Sequence, residues 1–188
     1  MEQQYSTLWK EVIKGNQRSY RKVVEEYFKV LYNYGLKFSS DPELIKDTVQ
    51  ELFIAVWERR SYLSENVNIR AYLLSSFRRA LFKKLKSKLK VVDIKNYNGK
   101  TCFFEIKNEV EEGLLAKEKS LLLAKEMAEM INSLPMRQKE VVYLKYFLNL
   151  SRDEIAETMS IAPQTVSNIL QTALKGMRFK YFANYKVS

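Results

Sequence analysis

The stretch 150–178, LSRDEIAETMSIAPQTVSNILQTALKGMR, leaves a chain few ways to fold. Ser151 followed by Asp153 and Glu154 is a helix start: a hydroxyl cap, then acids where the helix dipole favours negative charge. That helix shows Ile155, Ala156 and Met159 on one side and stops near Ser160. Pro163 opens a second helix at the first position, where a missing N–H costs nothing. In it Val166, Ile169, Leu170, Ala173 and Met177 recur at the spacing of a buried stripe. The other face presents Gln164, Thr165, Ser167, Asn168, Gln171, Thr172 and Lys175, with Arg178 just beyond, and no acid occurs from 163 to 188. Two helices with a tight corner, small Ala156 at the crossing and a polar, acid-free second helix predict a helix-turn-helix that reads a major groove. The plainer alternative is an ordinary helical corner.

The rest of the composition agrees with helices throughout. Five Gly and three Pro in 188 residues leave few breaks, so the chain is expected to be all-α, with room for one or two domains. A formal charge of +10 points to a polyanionic partner. Cys102 is the one cysteine and histidine is absent, which excludes histidine-based triads, His-ligated metals and an intramolecular disulfide. No metal or cofactor and no small-molecule substrate is called for. No apolar run approaches a membrane span, so no direct membrane insertion is expected. The opening MEQQYSTLWKEVIKG does not read as a signal peptide, and the expected compartment is the cytoplasm.

Earlier in the chain, Leu8, Trp9, Val12 and Ile13 form a short amphipathic helix ending at Gly15. Asn16 then caps a long one with a stripe of Tyr20, Val23, Val24, Tyr27, Phe28 and Leu31, reaching toward Phe38. Asp41-Pro42 starts another, which buries Ile45, Val49, Leu52, Phe53, Val56 and Trp57 and leaves Asp47, Gln50 and Glu51 on one polar flank. That flank is either a solvated face or a protein-docking face. After a polar loop, RRSYLSENVN, a helix turns Ile69, Tyr72, Leu73, Ser76, Phe77, Ala80, Leu81 and Leu85 inward. Outward it carries Arg70, Arg78, Arg79, Lys83, Lys84, Lys86, Lys88 and Lys90, and no acid occurs from 66 to 92. Eight positive charges without a counter-ion predict a phosphate-binding ridge.

Between 91 and 113 the periodicity disappears and an Asn-Gly turn appears, as in a linker. Ile94, Phe103, Phe104 and Ile106 are too apolar for a wholly disordered tether, so part of it is expected to pack. Helicity resumes over 114–133 with Leu115, Leu122, Leu123, Met127, Met130 and Ile131 inward. Pro135 opens the next helix, with Val141, Leu144 and Leu148 inward and Arg137, Lys139 and Lys145 outward.

This order of motifs resembles the sigma-70 family of bacterial RNA polymerase initiation factors, in its small extracytoplasmic-function (ECF) group. In that family a helix with D-x-x-Q-E-x-F and a nearby Trp docks on the polymerase clamp; here Asp47, Gln50, Glu51 and Phe53 stand in that pattern, with Trp57 after them. An aromatic-Leu pair leading into an Arg-rich stretch is matched by Tyr72-Leu73 and Arg78-Arg79. L-P followed by V and a helix-turn-helix is matched from Leu134-Pro135 and Val141 to Met177-Arg178.

The resemblance implies two helical domains, 1–92 and 114–188, joined by a linker at 93–113 that threads toward the polymerase active centre; the second domain is a four-helix unit. It implies core RNA polymerase and promoter DNA as partners, with an anti-sigma protein also expected. Polymerase docking falls to Asp47, Gln50, Glu51 and Phe53. DNA binding falls to the loop 61–70, to Arg70, Arg78, Arg79, Lys83 and Lys86, and to Gln164, Thr165, Ser167, Asn168, Gln171, Lys175 and Arg178. The chain departs from the family at Arg79 (commonly Asn), Phe82 (Asp), Ser160 (Gly) and Ala162 (Ser). Two other functions fit parts of the pattern: a stand-alone helix-turn-helix regulator, and a carboxylate-metal nuclease using Asp47 and Glu51.

Overall fold

The cap residues act where the sequence places them. In the computed structural model, which describes residues 2–91, 104–106 and 118–185, α1 (Glu2–Ile13) ends at Gly15, whose φ of +87° only glycine adopts without strain. Asn16 Oδ1 then accepts from the amides of Arg18 and Ser19 to open α2 (Gln17–Gly35). Asp41 accepts from Leu44 N–H at 3.0 Å, with Pro42 at the first position of α3 (Pro42–Glu58). A single 3₁₀ turn (Arg60–Tyr62) and a loop lead to α4 (Ile69–Val91), started by Asn68, whose side chain accepts from Ala71 N–H at 3.0 Å. There follow α5 (Glu118–Asn132), α6 (Met136–Tyr146), α7 (Arg152–Met159) and α8 (Pro163–Tyr185), so the fold is all-α, with no strand among the described residues.

The chain divides into two compact units, Met1–Cys102 with Ala156–Ser160, and Phe103–Ile155 with Ile161–Ser188. In the first, α2 packs on α1, α3 and α4. Its stripe of Val23, Tyr27 and Leu31 is buried with Trp9, Val12, Ile45, Val49, Phe77 and Leu81, while Val24 and Phe28 are half-buried. The helix stops at Gly35, short of the expected reach, and the following turn delivers Phe38 to the core. There it meets Tyr34 edge-on at 5.1 Å and Phe82 at 5.1 Å. Burial on this scale, about 1.5–3 kcal/mol per large apolar side chain, outweighs any propensity term.

In the second unit α5, α6 and α8 pack together, burying Val141, Leu144, Val166 and Ala173. The expected register of α5 holds at Ile131, which is buried, and is corrected at Met127, which is 40% exposed while its neighbour Ala128 points inward instead. Lys139 and Lys145 are half-buried rather than outward. Burial lowers the Lys139 pKa, and the Glu105 charge opposes that shift. Leu115, Ile94 and Phe103, and the side chains of Leu122 and Leu123, lie outside what is described. Phe104 and Ile106 pack within this unit.

The start of α7 is a reciprocal cap: Glu154 N–H donates to Ser151 Oγ at 3.2 Å and Ser151 N–H to Glu154 Oε2 at 2.7 Å. Its end turns through Ser160 at φ +53°, a left-handed conformation that a residue with a Cβ adopts at a cost of about 1 kcal/mol. Ser160→Gly is therefore expected to stabilise the corner by roughly 0.5–1 kcal/mol, read as a raised thermal midpoint in calorimetry. An unchanged or lowered midpoint would show the turn to be unstrained. Ala162 supplies no side-chain cap to α8; its carbonyl accepts from Thr165 and Val166 N–H at 2.9 and 3.3 Å.

Candidate nucleic-acid interface

On α4 the apolar face seats Ile69, Leu73, Phe77 and Leu81 in the first unit's core, which forces the intervening cations outward. Arg79, Lys83, Lys86 and Lys88 are exposed, and Arg70, Arg78 and Lys84 half-exposed. The expectation of eight charges without a counter-ion is corrected at two positions. Lys84 Nζ lies 2.8 Å from Glu51 Oε1, and Lys88 Nζ donates to Asp41 Oδ2 at 2.7 Å. The Lys88 hydrogen bond, then the Leu44 amide, hold the Asp41 carboxyl below its usual range. Both acids belong to the α3 segment, which the sequence-local rule of an acid-free stretch could not see. Lys90 lies outside the described side chains.

At the departure from the family, Phe82, the ring lies under the Arg78 guanidinium at 4.7 Å and abuts Phe38. Such a stack holds the guanidinium in one place against the ridge. The i, i+4 spacing of Arg78 and Phe82 was the available signal.

The loop before α4 is fastened at both ends. Arg60 Nη1 donates to the Trp57 carbonyl at 2.7 Å, with its guanidinium 4.4 Å over the Trp57 ring. Trp9 Nε1 donates to the Ser64 carbonyl at 3.0 Å, and Trp9 stands 5.9 Å from Tyr72. Between these fixings Tyr62 is 89% exposed, a ring available for stacking on an unpaired base.

On α3, Asp47, Gln50 and Glu51 share the exposed flank, as i, i+3, i+4 spacing requires. Phe53 does not join them. It is 5% exposed, and Tyr20 donates its hydroxyl to the Phe53 carbonyl at 2.6 Å, burial raising the Tyr20 pKa to about 12. Phe53 therefore lies in the core rather than on that face. Trp57, half-exposed, edges an open recess of about 360 Å³ with Gln17, Tyr20, Arg21 and Val24. Among the described residues no three His, Cys, Asp or Glu side chains converge as a metal site.

In the second unit, α8 buries Val166 and Ala173 and leaves Ile169, Leu170 and Met177 half-buried, so the stripe is confirmed with a shallower seat. Gln164, Asn168, Gln171, Thr172, Lys175 and Arg178 are exposed, Thr165 and Ser167 half-exposed. Gln164 Nε2 donates to Asn168 Oδ1 at 3.1 Å, pre-aligning two amides of the kind that pair with base edges. The Ser167 hydroxyl leans back on the Pro163 carbonyl at 3.4 Å and that of Thr172 on the Asn168 carbonyl at 2.9 Å.

Two units, one with a basic ridge beside an acidic shoulder and one ending in an acid-free helix after a tight corner, match known families in the same order. Residues 23–90 match sigma-70 region 2 and residues 124–177 match sigma-70 region 4. The chain is 23% identical over 159 residues to the ECF RNA polymerase sigma factor SigL of Mycobacterium tuberculosis, covering 84% of this chain and 86% of that one. Among solved structures it is similar to CnrH, in complex with the cytosolic domain of CnrY (TM-score 0.61, 16% identity, 95% of this chain and 97% of that one). It is also similar to the sigma factor RpoE of Bartonella quintana, in complex with the anti-sigma factor NepR (TM-score 0.63, 16% identity, 86% and 95%). The chain belongs to the sigma-70 family of RNA polymerase sigma factors. Among the described residues no helix is long and apolar enough to cross a membrane.

Proposed function

We propose that this sigma factor directs core RNA polymerase to specific promoters through two separated grips, with domain limits at 1–92 and 114–188 and a linker over 93–113 whose residues 104–106 pack with the second unit. The observation that carries it is the exposure of a cationic face on each unit: Arg79, Lys83 and Lys86 on α4, and Lys175 and Arg178 beside the polar face of α8. Asp47, Gln50 and Glu51 form the polymerase-docking face, with Phe53 in the core rather than on it. The loop 61–70 and the ridge of Arg70, Arg78, Arg79, Lys83 and Lys86 receive the opened strand, where an unstacked base costs a few kcal/mol that stacking and phosphate neutralisation offset. Gln164, Thr165, Ser167, Asn168 and Gln171 lie at base edges or phosphates, with Lys175 and Arg178 on the backbone. Polymerase performs the chemistry, so the protein works in the compartment where polymerase works. An anti-sigma protein silences it, as RpoE was solved with one.

Run-off transcription with core enzyme, followed by sequencing of the start sites, tests the function. Defined start sites that depend on the protein support it. Tight binding to duplex promoter DNA without polymerase, and no transcript with it, would make the chain a stand-alone regulator. Within the active complex, Arg78→Ala with Arg79→Ala is expected to reduce permanganate-detected opening by about tenfold while duplex binding in a gel shift changes little; truncation of a stacked or phosphate-bound cation costs roughly 1–2 kcal/mol. Equal losses in both assays would remove the ridge from the opening step.

A further inference from the structure

Residues 104–106 lie between the matched stretches, which end at 90 and resume at 124, yet they are part of the second unit. Phe104 is 1% and Ile106 5% exposed, while Glu105 between them faces solvent. That alternation is the side-chain pattern of an extended strand. The Phe104 ring meets Tyr143 edge-on at 5.5 Å. The backbone is held as well: Ile106 N–H donates to Asn132 Oδ1 at 2.9 Å, and Asn132 Nδ2 donates to the Ile106 carbonyl at 3.0 Å. One carboxamide, at the last residue of α5, thus pairs both polar groups of one residue, as a facing strand would. Recognition of this kind combines main-chain hydrogen bonds with pockets for alternate side chains, which is how domains bind extended peptides.

We infer that the second unit carries a binding slot for an extended apolar-x-apolar peptide, built on Asn132 and Tyr143, whose occupant is the chain's own 104–106. The consequence is one of length. Twenty-seven Cα-to-Cα steps separate Val91, the end of α4, from Glu118, the start of α5, and thirteen separate Val91 from Phe104. At roughly 3.5 Å per step the first path reaches at most about 95 Å and the second about 45 Å. Seating 104–106 halves the reach of the connection. Resting on the proposed function, this narrows the range of spacings between promoter elements that the two units grip together.

Asn132→Ala and Phe104→Ala in the full chain test it, one removing the backbone clamp and the other the apolar anchor. Hydrogen exchange is expected to show the Ile106 amide protected in the wild type and about tenfold or more faster in either variant, with the amides of α6 and α8 unchanged. Transcription from promoters with stepwise longer spacers is expected to extend, in both variants, to lengths the wild type rejects. An unprotected Ile106 amide in the wild type, or one unaffected by Asn132→Ala, overturns the slot. Faster exchange with identical spacer profiles overturns the tether role. If the wild type supports no transcription with core enzyme, the proposed function fails while the exchange measurement still decides the slot.

Discussion

Glu51→Lys is expected to abolish co-purification with core polymerase while leaving the fold intact. The Glu51 side chain is 64% exposed and its one described ion pair, with Lys84, is at the surface. Exposed pairs contribute about 0–1 kcal/mol, so stability barely changes. Reversing a charge inside a docking face leaves a like or unpaired charge there and costs about 2–5 kcal/mol, a loss of roughly thirtyfold to several thousandfold in affinity. Because the substitution also places two cations together at Lys84, the double variant Glu51→Lys with Lys84→Glu separates the two effects. It restores an ion pair of reversed sign and is expected to keep the wild-type thermal midpoint but not to bind polymerase. Recovery of polymerase binding in the double variant would show that the pair, and not the Glu51 carboxylate itself, is what docking requires.

The largest expected effect on folding comes from a residue with no side chain. Gly35 is the last residue of α2, and a Cβ there would stand 2.5 Å from Ile45 Cγ2 and 2.9 Å from Phe77 Cζ. Both neighbours are fully buried, so neither has solvent to move into. Alanine would improve helix propensity by about 1 kcal/mol, but overpacking a closed core costs about 1–3 kcal/mol and more where backbone must shift. Gly35→Ala is expected to lower unfolding stability in urea by roughly 1–3 kcal/mol. Combining it with Ile45→Ala, which vacates the clashing atoms, should give a loss smaller than the sum of the two. A Gly35→Ala protein as stable as the wild type would mean that α2 and α3 slide apart freely.

What was legible in the sequence was what neighbours along the chain decide. Asn16, Asp41-Pro42 and the Ser151–Glu154 box act within one helical turn, so their spacing alone gives the starts of α2, α3 and α7. The outward cations of α4 follow in the same way from its apolar period. The polar face of α8 was equally clear, because Val166 and Ala173 fix which side is inward. The rest depends on partners far away in the chain. Nothing within a turn of Lys88 announces Asp41, 47 residues earlier, and nothing near Ile106 announces Asn132. Met127 and Ala128 could not be ordered because a stripe read from one helix has no knowledge of the surface it meets; the smaller residue went inward. Phe53 belongs both to the buried stripe and to a docking motif, and only burial decides between touching a partner and lying in the core.

The loop ahead of α4 is clipped by Trp9, which reaches a carbonyl 55 residues further along, at Ser64. Trp9 stands upstream of residue 23, where the match to region 2 begins. The height and tilt of the loop are thus governed by an indole that the matched segment does not contain. Two relatives could agree at every aligned loop position and still present that loop differently, so a loop conformation carried from one to the other should be weighed by what each has at its own amino-terminal helix.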